Sequence, residues 1–309
     1  MRRISHQFLL ITALVAGGCS GEVSSGRDTE APASHDTVDT IEPDSGQADA
    51  CEVPTGPAPE GPTPPALVTE EDPPTGSVAG RLVHPDGQPI EGMRMLACTP
   101  SICYWDETDS DGRFLVSDLT LEPLKMQTGD PGGTHLDLIF YHLLETEAVS
   151  ELPSELIVPL RDGEPAVAWP DEGGTVTLAS GQLELEVDPE AVSYPVGTKE
   201  KAVSAMRIEG ANLPPFDWAP WEGREDETFA FVVNPVGVTV TPHARVRVLG
   251  TEPGPCTTFR LWTVKAKTGA LSYAGLMTTE TRDGETLLVS SPDAEIGEFT
   301  TLILSPLMD

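Results

Sequence analysis

The residue types that commonly carry out catalysis do not form a recognisable motif in this chain. The sequence lacks Gly-x-Ser-x-Gly, His-Glu-x-x-His, a Walker loop and a dinucleotide-binding fingerprint. Its six histidines are widely separated: His6, His35, His84, His135, His142 and His243. Acid pairs are numerous, as they must be in a chain with a net charge of −32, so they do not indicate a glycosidase. The sequence therefore predicts a protein that is not an enzyme, although a site assembled from distant residues would leave no motif.

Two short segments place acidic residues in patterns that could bind a cation or support hydrolysis. Glu107–Gly112 alternates acids as a calcium loop does, but the first position is Glu where Asp is usual, and the twelfth position holds Asp118 where a bidentate Glu is usual. A solvated Asp-Gly turn is the favoured interpretation. His135 lies close to Asp137 in sequence, but a hydrolase would also need a nucleophile. We therefore assign His135 to a loop or a strand.

The N-terminus has the features of an export signal. Arg2 and Arg3 precede an apolar run at residues 8–16, and small residues follow. A basic head, a short apolar run and small residues are typical of a signal peptide. The apolar run is too short to span a membrane, which needs about 20 residues.

The residues after this run, Ala16-Gly17-Gly18-Cys19, resemble a bacterial lipobox. The resemblance implies that Cys19 is acylated and becomes the first residue of the mature protein. An ordinary cleaved signal followed by a chance cysteine is the alternative. Ser20 follows the cysteine, and by resemblance to Gram-negative lipoproteins this implies the outer membrane. Two or more acyl chains buried in the bilayer, at about 0.8 kcal/mol per CH₂, would give a stable anchor.

With Cys19 assigned to a lipid, four cysteines remain, and an even number in an exported protein indicates disulfides. We expect a local bridge between Cys98 and Cys103, because Pro100-Ser101 can form a turn between them. That bridge leaves Cys51 and Cys256 to pair, although four cysteines allow three pairings. The alternative is a metal site, but this spacing is not usual for zinc, so neither a metal nor a cofactor is predicted.

Composition indicates a disordered stalk at residues 19–75. Large apolar side chains are rare there, Arg27 is the only Lys or Arg, and Pro-rich runs occur at 54–59 and 62–65. Such a segment cannot bury enough surface to offset its ordering entropy. The whole chain has a pI of about 4.3, so nucleic-acid binding is not expected. Membrane association would have to come from the N-terminal lipid.

Residues 76–155 show the alternation typical of half-buried strands. Ser77–Val83 and Ile90–Ala97 flank an Asp-Gly turn, and an acidic turn at 108–112 leads into Phe114. This segment resembles the carboxypeptidase regulatory-like domain, a transthyretin-like β-sandwich. The resemblance rests on Val78, Gly80, Val83, Asp86, Gly87, Pro89, Ile90, Gly92 and Thr108–Phe114. It implies an accessory fold without catalytic residues. Residues 136–149 fit helix and strand spacing equally; the resemblance favours a strand, with a helical turn within Glu145–Glu155.

Residues 165–309 contain a series of alternating strands separated by Gly and Pro. They begin at Gly173–Leu178 and Gln182–Val187 and end at Phe299–Leu304. The segment resembles ZU5-like sandwiches of bacterial surface lipoproteins. The resemblance rests on Gly173–Val176, Leu185–Val192, Asn234–Pro242 and the strand with Trp262. It implies an interaction or structural module and transfers no site residues.

One Pro-rich loop, residues 213–225, carries the aromatics Phe216, Trp218 and Trp221. Aromatic side chains in a loop can stack against a sugar or dock a protein. The alternative is that they fold back onto the sandwich core, and we favour it.

Together these features predict an all-β chain with two antiparallel β-sandwich domains, at 76–155 and 165–309. A signal peptide at residues 1–18 and a stalk at 19–75 precede them. The expected function is that of a non-catalytic, lipid-anchored protein of the cell envelope that binds a protein or polysaccharide partner. The alternative is an exported carbohydrate-active or peptidase-like enzyme with a site between the domains. A cleft with perturbed carboxylates would favour the enzyme, and an exposed aromatic patch would favour the binding protein.

Overall fold

The computed structural model describes residues 74–161, 165–169, 174–188, 191–199, 201–217, 219–251, 253–254, 257–282 and 284–307. The predicted signal peptide, residues 19–73 of the predicted stalk, Cys256 and Trp218 lie outside these ranges. Within them the protein is all-β, as predicted. Its helical structure includes short 3₁₀ turns at Ala179–Gly181, Gly210–Asn212 and Glu225–Glu227. No helix in the described ranges is long and apolar enough to cross a membrane.

The strands are numbered in chain order. They are β1 (Thr75–Val83), β2 (Arg94–Cys98), β3 (Cys103–Glu107), β4 (Arg113–Thr120), β5 (Pro123–Gly129), β6 (Ile139–Leu143), β7 (Val149–Glu151), β8 (Leu156–Ile157), β9 (Gly174–Leu178), β10 (Leu183–Val187), β11 (Val192–Ser193), β12 (Ser204–Glu209), β13 (Phe229–Asn234), β14 (Val238–Val240), β15 (Arg245–Val248), β16 (Phe259–Val264), β17 (Leu271–Arg282), β18 (Glu285–Ser290), β19 (Glu298–Phe299) and β20 (Thr301–Pro306).

The N-terminal segment, residues 74–161, consists of two four-stranded sheets. One has the order β4-β1-β7, with β8 also paired to β1, and the other has the order β3-β2-β5-β6. The strands alternate as predicted: Val78 and Leu82 of β1 are fully buried, whereas Ser77 and Arg81 are partly exposed. Gly80 lies against the Phe114 ring, where a Cβ would come within 2.9 Å of a ring carbon.

The pairing in this segment is not purely antiparallel. β7 and β8 both run parallel to β1. They follow β6, which belongs to the other sheet, so no hairpin forces them into the antiparallel direction. The helical turn expected within Glu145–Glu155 was wrong, because that stretch contributes β7 to the sheet instead. The strand that was expected at the start of residues 136–149 is present as β6.

The C-terminal segment, residues 165–307, contains a nine-stranded sheet with the order β12-β13-β20-β16-β17-β18-β15-β10-β9. A three-stranded sheet, β11-β14-β19, accompanies it. All of these pairs are antiparallel. Central strands such as β13 and β20 are buried along their whole length, as expected of strands covered on both faces.

The two segments share a hydrophobic core. The cluster that contains Val78 and Met126 of the N-terminal segment also contains Trp262 and Ile303 of the C-terminal segment. The turn at Gly269 approaches β6 so closely that a Cβ there would lie 2.3 Å from a backbone oxygen. All described residues fall in a single compact unit. The domain limits given above stay a prediction.

Candidate functional site

The predicted local disulfide is present at the tip of the β2–β3 hairpin. Cys98 and Cys103 face each other in register, and their sulfur atoms are bonded at 2.03 Å. Thr99 closes the turn by accepting hydrogen bonds from the amides of Ser101 and Ile102 with its hydroxyl. The pairing of Cys51 with Cys256 lies outside the described residues and stays a prediction.

The aromatic loop at 213–225 directs its described rings inward. Phe216 and Trp221 are only 8% and 3% exposed. They meet edge to face at 5.7 Å, and Phe216 meets Phe140 of β6 at 6.4 Å. Rings buried in this way are not available to stack on a ligand. Phe216 and Trp221 therefore fold back onto the core, which is the interpretation favoured from the sequence. Trp218, the third candidate, lies outside the described residues.

A different tryptophan is on the surface. Trp105 of β3 is 55% exposed, on the outer strand of its sheet. The guanidinium carbon of Arg94 lies 4.7 Å from the centre of the indole, and Arg94 also pairs with Glu107 at 3.3 Å. Ile102, 52% exposed, extends the apolar surface at the hairpin tip. We call Trp105, Arg94, Glu107 and Ile102 the Trp105 patch.

The strand pattern of β3 does not by itself reveal this patch. The positions of Cys103, Trp105 and Glu107 share one face, and those of Tyr104 and Asp106 share the other. Each face therefore combines an aromatic residue with an acid, so alternation alone does not decide which face is exposed. In the structure Tyr104 packs against the core, and Trp105 faces outward.

Next to this patch lies a shallow depression of about 420 Å³ on the outer face of β4, β1 and β7. Acidic residues surround its apolar floor. Leu115 and Val149, 47% and 50% exposed, flank the buried Ala79. Asp106 and Glu107 line it too, which connects the depression to the strand that carries Trp105.

In the acidic turn at 109–112, the carboxylate of Asp109 accepts hydrogen bonds from the backbone. Oδ1 of Asp109 accepts hydrogen bonds from the amides of Asp111 and Arg113, both at 2.9 Å. Gly112 adopts a positive φ of 75° and lies against a backbone oxygen, which explains the glycine. The favoured Asp-Gly turn is thus the local structure. Within the described ranges, no group of three or more His, Cys, Asp or Glu side chains could hold a metal ion.

His135 pairs with Asp130, not with its sequence neighbour Asp137. Nδ1 of His135 lies 2.8 Å from Oδ2 of Asp130. Burial alone would raise the pKa of Asp130, but hydrogen bonds from His135, Thr134 and Gly132 outweigh it and hold that pKa well below its usual value. Asp137 pairs with Arg161 at 2.8 Å, and burial raises its pKa against the opposing effect of the guanidinium.

A second histidine, His142, lies between a serine and an aspartate. Nε2 of His142 is 3.2 Å from the Ser150 hydroxyl. Nδ1 is 3.2 Å from Oδ2 of Asp217 but forms no hydrogen bond to it, unlike the histidine of a catalytic triad. In addition, Ser150 is paired with Val78, so its side chain points to the core side of the sheet. Asp217 also accepts a 2.6 Å hydrogen bond from the Leu143 amide. These contacts join β6, β7 and the aromatic loop, and they act as a polar link between the two segments.

A groove of about 510 Å³ runs between the segments. Lys125, Gln127 and Asp137 line one side, and Lys267 and Glu298 line the other. The ammonium of Lys125 donates to Gln127 at 2.9 Å, and burial lowers its pKa. The groove thus brings a lysine with a lowered pKa and a carboxylate with a raised pKa to one surface.

Comparisons with known proteins do not assign a family. No family model matches the chain, and no curated protein matches it. Among solved structures, a DUF3823 family protein from Parabacteroides merdae ATCC 43184 is 9% identical, covering 77% of this chain and 100% of its own, with a TM-score of 0.23. A DUF3823 family protein from Bacteroides ovatus ATCC 8483 is 11% identical, covering 76% of this chain and 100% of its own, with a TM-score of 0.23. Similarities at this level carry no argument about function.

Proposed function

We propose that this protein is a non-catalytic, lipid-anchored protein of the cell envelope, and that its β-rich part binds a polysaccharide or protein partner through the Trp105 patch. The observation that carries the proposal is the 55% exposure of Trp105 on a hairpin that the Cys98–Cys103 disulfide closes. The disulfide at the tip supports export, because such bonds persist in oxidising compartments. The lipid on Cys19 and the outer-membrane location rest on the N-terminal sequence.

A polysaccharide fits the patch better than a protein does. A single indole offers a flat apolar surface for one sugar ring, and Arg94 and Glu107 beside it supply hydrogen-bonding groups for hydroxyls. A stable protein interface buries about 800 Å² on each partner and draws on several anchors. Around Trp105, Ile102 is the other large exposed apolar side chain on the same hairpin.

The test is retention of the full chain on purified envelope glycans, namely peptidoglycan sacculi, lipopolysaccharide and capsular polysaccharide. Trp105→Ala should weaken retention by about 30-fold, the effect of losing a hot-spot aromatic. Val196→Ala, which alters an exposed apolar residue elsewhere, serves as the matched control. If both variants bind each glycan equally well, the polysaccharide proposal fails.

The anchor has its own experiment. Intact mass and membrane fractionation of the native protein should show a mature chain that starts at Cys19 and carries acyl groups. Cys19→Ala should release the protein from membranes. A Cys19→Ala protein that stays in the membrane fraction would show that the attachment lies elsewhere.

We further propose that residues 76–155 are a carboxypeptidase regulatory-like sandwich and residues 165–309 a ZU5-like sandwich. Two four-stranded sheets support the first assignment, and an antiparallel strand series that ends in β20 supports the second. Both families act as accessory or interaction modules, which agrees with a binding role.

The exported-enzyme alternative has one observation in its favour, the groove between the segments. Opposite pKa shifts at Lys125 and Asp137 are the kind of arrangement that acid–base chemistry uses. Its test is turnover of peptide and glycan substrates by the wild type and by Lys125→Met. Turnover that Lys125→Met abolishes would establish the alternative, and absence of turnover in the wild type would leave the binding role.

A further inference from the structure

Two histidines far apart in sequence come together at one end of the N-terminal segment. His84 directly follows β1, and His135 lies in the loop before β6. Their ring centres are 5.1 Å apart, with 30° between the ring planes. His135 is held in place by a bridge to Leu160, and the His84 amide donates to the Gln88 carbonyl. Both rings are therefore positioned by backbone pairing.

Each ring presents one nitrogen that has no partner among the described residues. Nε2 of His135 and Nδ1 of His84 are both shielded from solvent and form no hydrogen bond there. Buried polar atoms in native proteins are nearly always satisfied, and an orphan commonly marks a missing water or ion. A single ion bound between the two adjacent rings would satisfy both orphan imidazole nitrogens.

The other ring nitrogen of His135, Nδ1, has a carboxylate partner of the kind that metal-binding histidines have. Its Nδ1 lies 2.8 Å from the Asp130 carboxylate, which directs the Nδ1 proton to Asp130 and leaves the lone pair on Nε2. The carboxylate itself is fixed by the amides of Gly132, Thr134 and His135, at 2.7, 2.7 and 2.8 Å. The Asp130 side chain is only 11% exposed, and these contacts fix its position beside His135.

We propose that His84 Nδ1 and His135 Nε2 bind a late first-row transition-metal ion, with Asp130 orienting His135. Imidazole nitrogens select Cu²⁺, Ni²⁺ and Zn²⁺ over Ca²⁺ and Mg²⁺, and Cu²⁺ binds a given nitrogen site most tightly. With two protein ligands, the remaining coordination positions are open to water or to an exogenous ligand. The proposal is independent of the Trp105 patch and of the lipid anchor.

The experiment titrates the full chain, purified without a histidine tag and freed of metal by chelation, with Cu²⁺. Calorimetry should give one site, and electron paramagnetic resonance should show nitrogen coupling from two imidazoles. His84→Gln and His135→Gln should each remove that site and its two-nitrogen signal. Asp130→Asn should keep the site but weaken it by about 10- to 100-fold, the usual effect of losing such a partner.

His243→Gln is the matched control, because His243 is exposed and belongs to the C-terminal segment. It should bind Cu²⁺ as the wild type does. Circular dichroism of each variant separates loss of the site from loss of the fold, and the two Gln variants provide independent tests. A wild type without a two-imidazole signal, or a signal that survives in folded His84→Gln and His135→Gln, would overturn the proposal and leave water as the partner of the orphan nitrogens.

Discussion

Asp217 should be a stabilising residue, because it links the aromatic loop of the C-terminal segment to β6 of the N-terminal segment. Its Oδ2 accepts a 2.6 Å hydrogen bond from the Leu143 amide and lies 3.2 Å from Nδ1 of the buried His142. A hydrogen bond to a charged group contributes about 1.5–3 kcal/mol. The carboxylate is 33% exposed, so solvent screening favours the lower part of that range. Asp217→Ala should therefore lower the free energy of unfolding by about 2 kcal/mol.

Urea denaturation followed by tryptophan fluorescence measures this change, and a thermal scan should show Tm falling by about 4–8 °C for a unit of this size. Glu222→Ala removes an exposed acid from the same loop and should change stability by less than about 0.5 kcal/mol. A double-mutant cycle of Asp217→Ala with His142→Gln should give a coupling energy of about 0.5 kcal/mol or more. If Asp217→Ala is as stable as Glu222→Ala, the polar link does not stabilise the fold and our reasoning is refuted.

Three further expectations follow from particular contacts. Thr108→Val should lower the free energy of unfolding, measured by urea denaturation, by about 2–4 kcal/mol, because the buried Thr108 hydroxyl bonds two backbone groups. Thr281→Val changes an exposed threonine and should leave that free energy nearly unchanged. Gly269→Ala should lower the free energy of unfolding by about 3 kcal/mol and Gly284→Ala by about 1 kcal/mol. Both glycines have a positive φ, but of the two only Gly269 lies against another stretch of backbone. Asp130 has a lowered pKa in the folded state, so its contribution is present above the unfolded value of about 3.9 and is lost as pH falls below it. The stability difference between the wild type and Asp130→Asn should thus shrink on acidification from pH 5 to pH 2, and a difference independent of pH would contradict this account.

Strand positions were predictable where alternation is regular. The strands β1, β9 and β10 were anticipated from the alternation of their apolar residues, since burial of one face dictates a period of two. β17 was missed. Its pairing with β16 is interrupted by an irregularity, and Gly275 adopts a φ of 142° where the chain passes close to Ala294. A bulge shifts the phase of the pattern, so a twelve-residue strand reads as a loop.

The candidate sites were less predictable than the strands, because their members are neighbours only after the sheets have formed. His84 and His135 meet because one follows β1 and the other precedes β6. The local disulfide was predictable because both cysteines belong to one hairpin, where short-range turn geometry decides the contact. Trp105 was not predictable from strand phase, because both faces of β3 carry an aromatic residue and an acid, and it is the packing of Tyr104 against the core that turns Trp105 outward.

The shared core also limits how far the N-terminal segment, which carries the Trp105 patch and the histidine pair, can move relative to the C-terminal segment. Both belong to the N-terminal segment, and that segment packs its buried face against Trp262 and Ile303 of the other. Close-packed interiors have little room to adjust, so the two segments should move together. A ligand on the patch would then meet a surface held by the disulfide, Arg94 and the core beneath it. Such a preorganised surface would lose little entropy on binding, which agrees with the binding role proposed for the Trp105 patch.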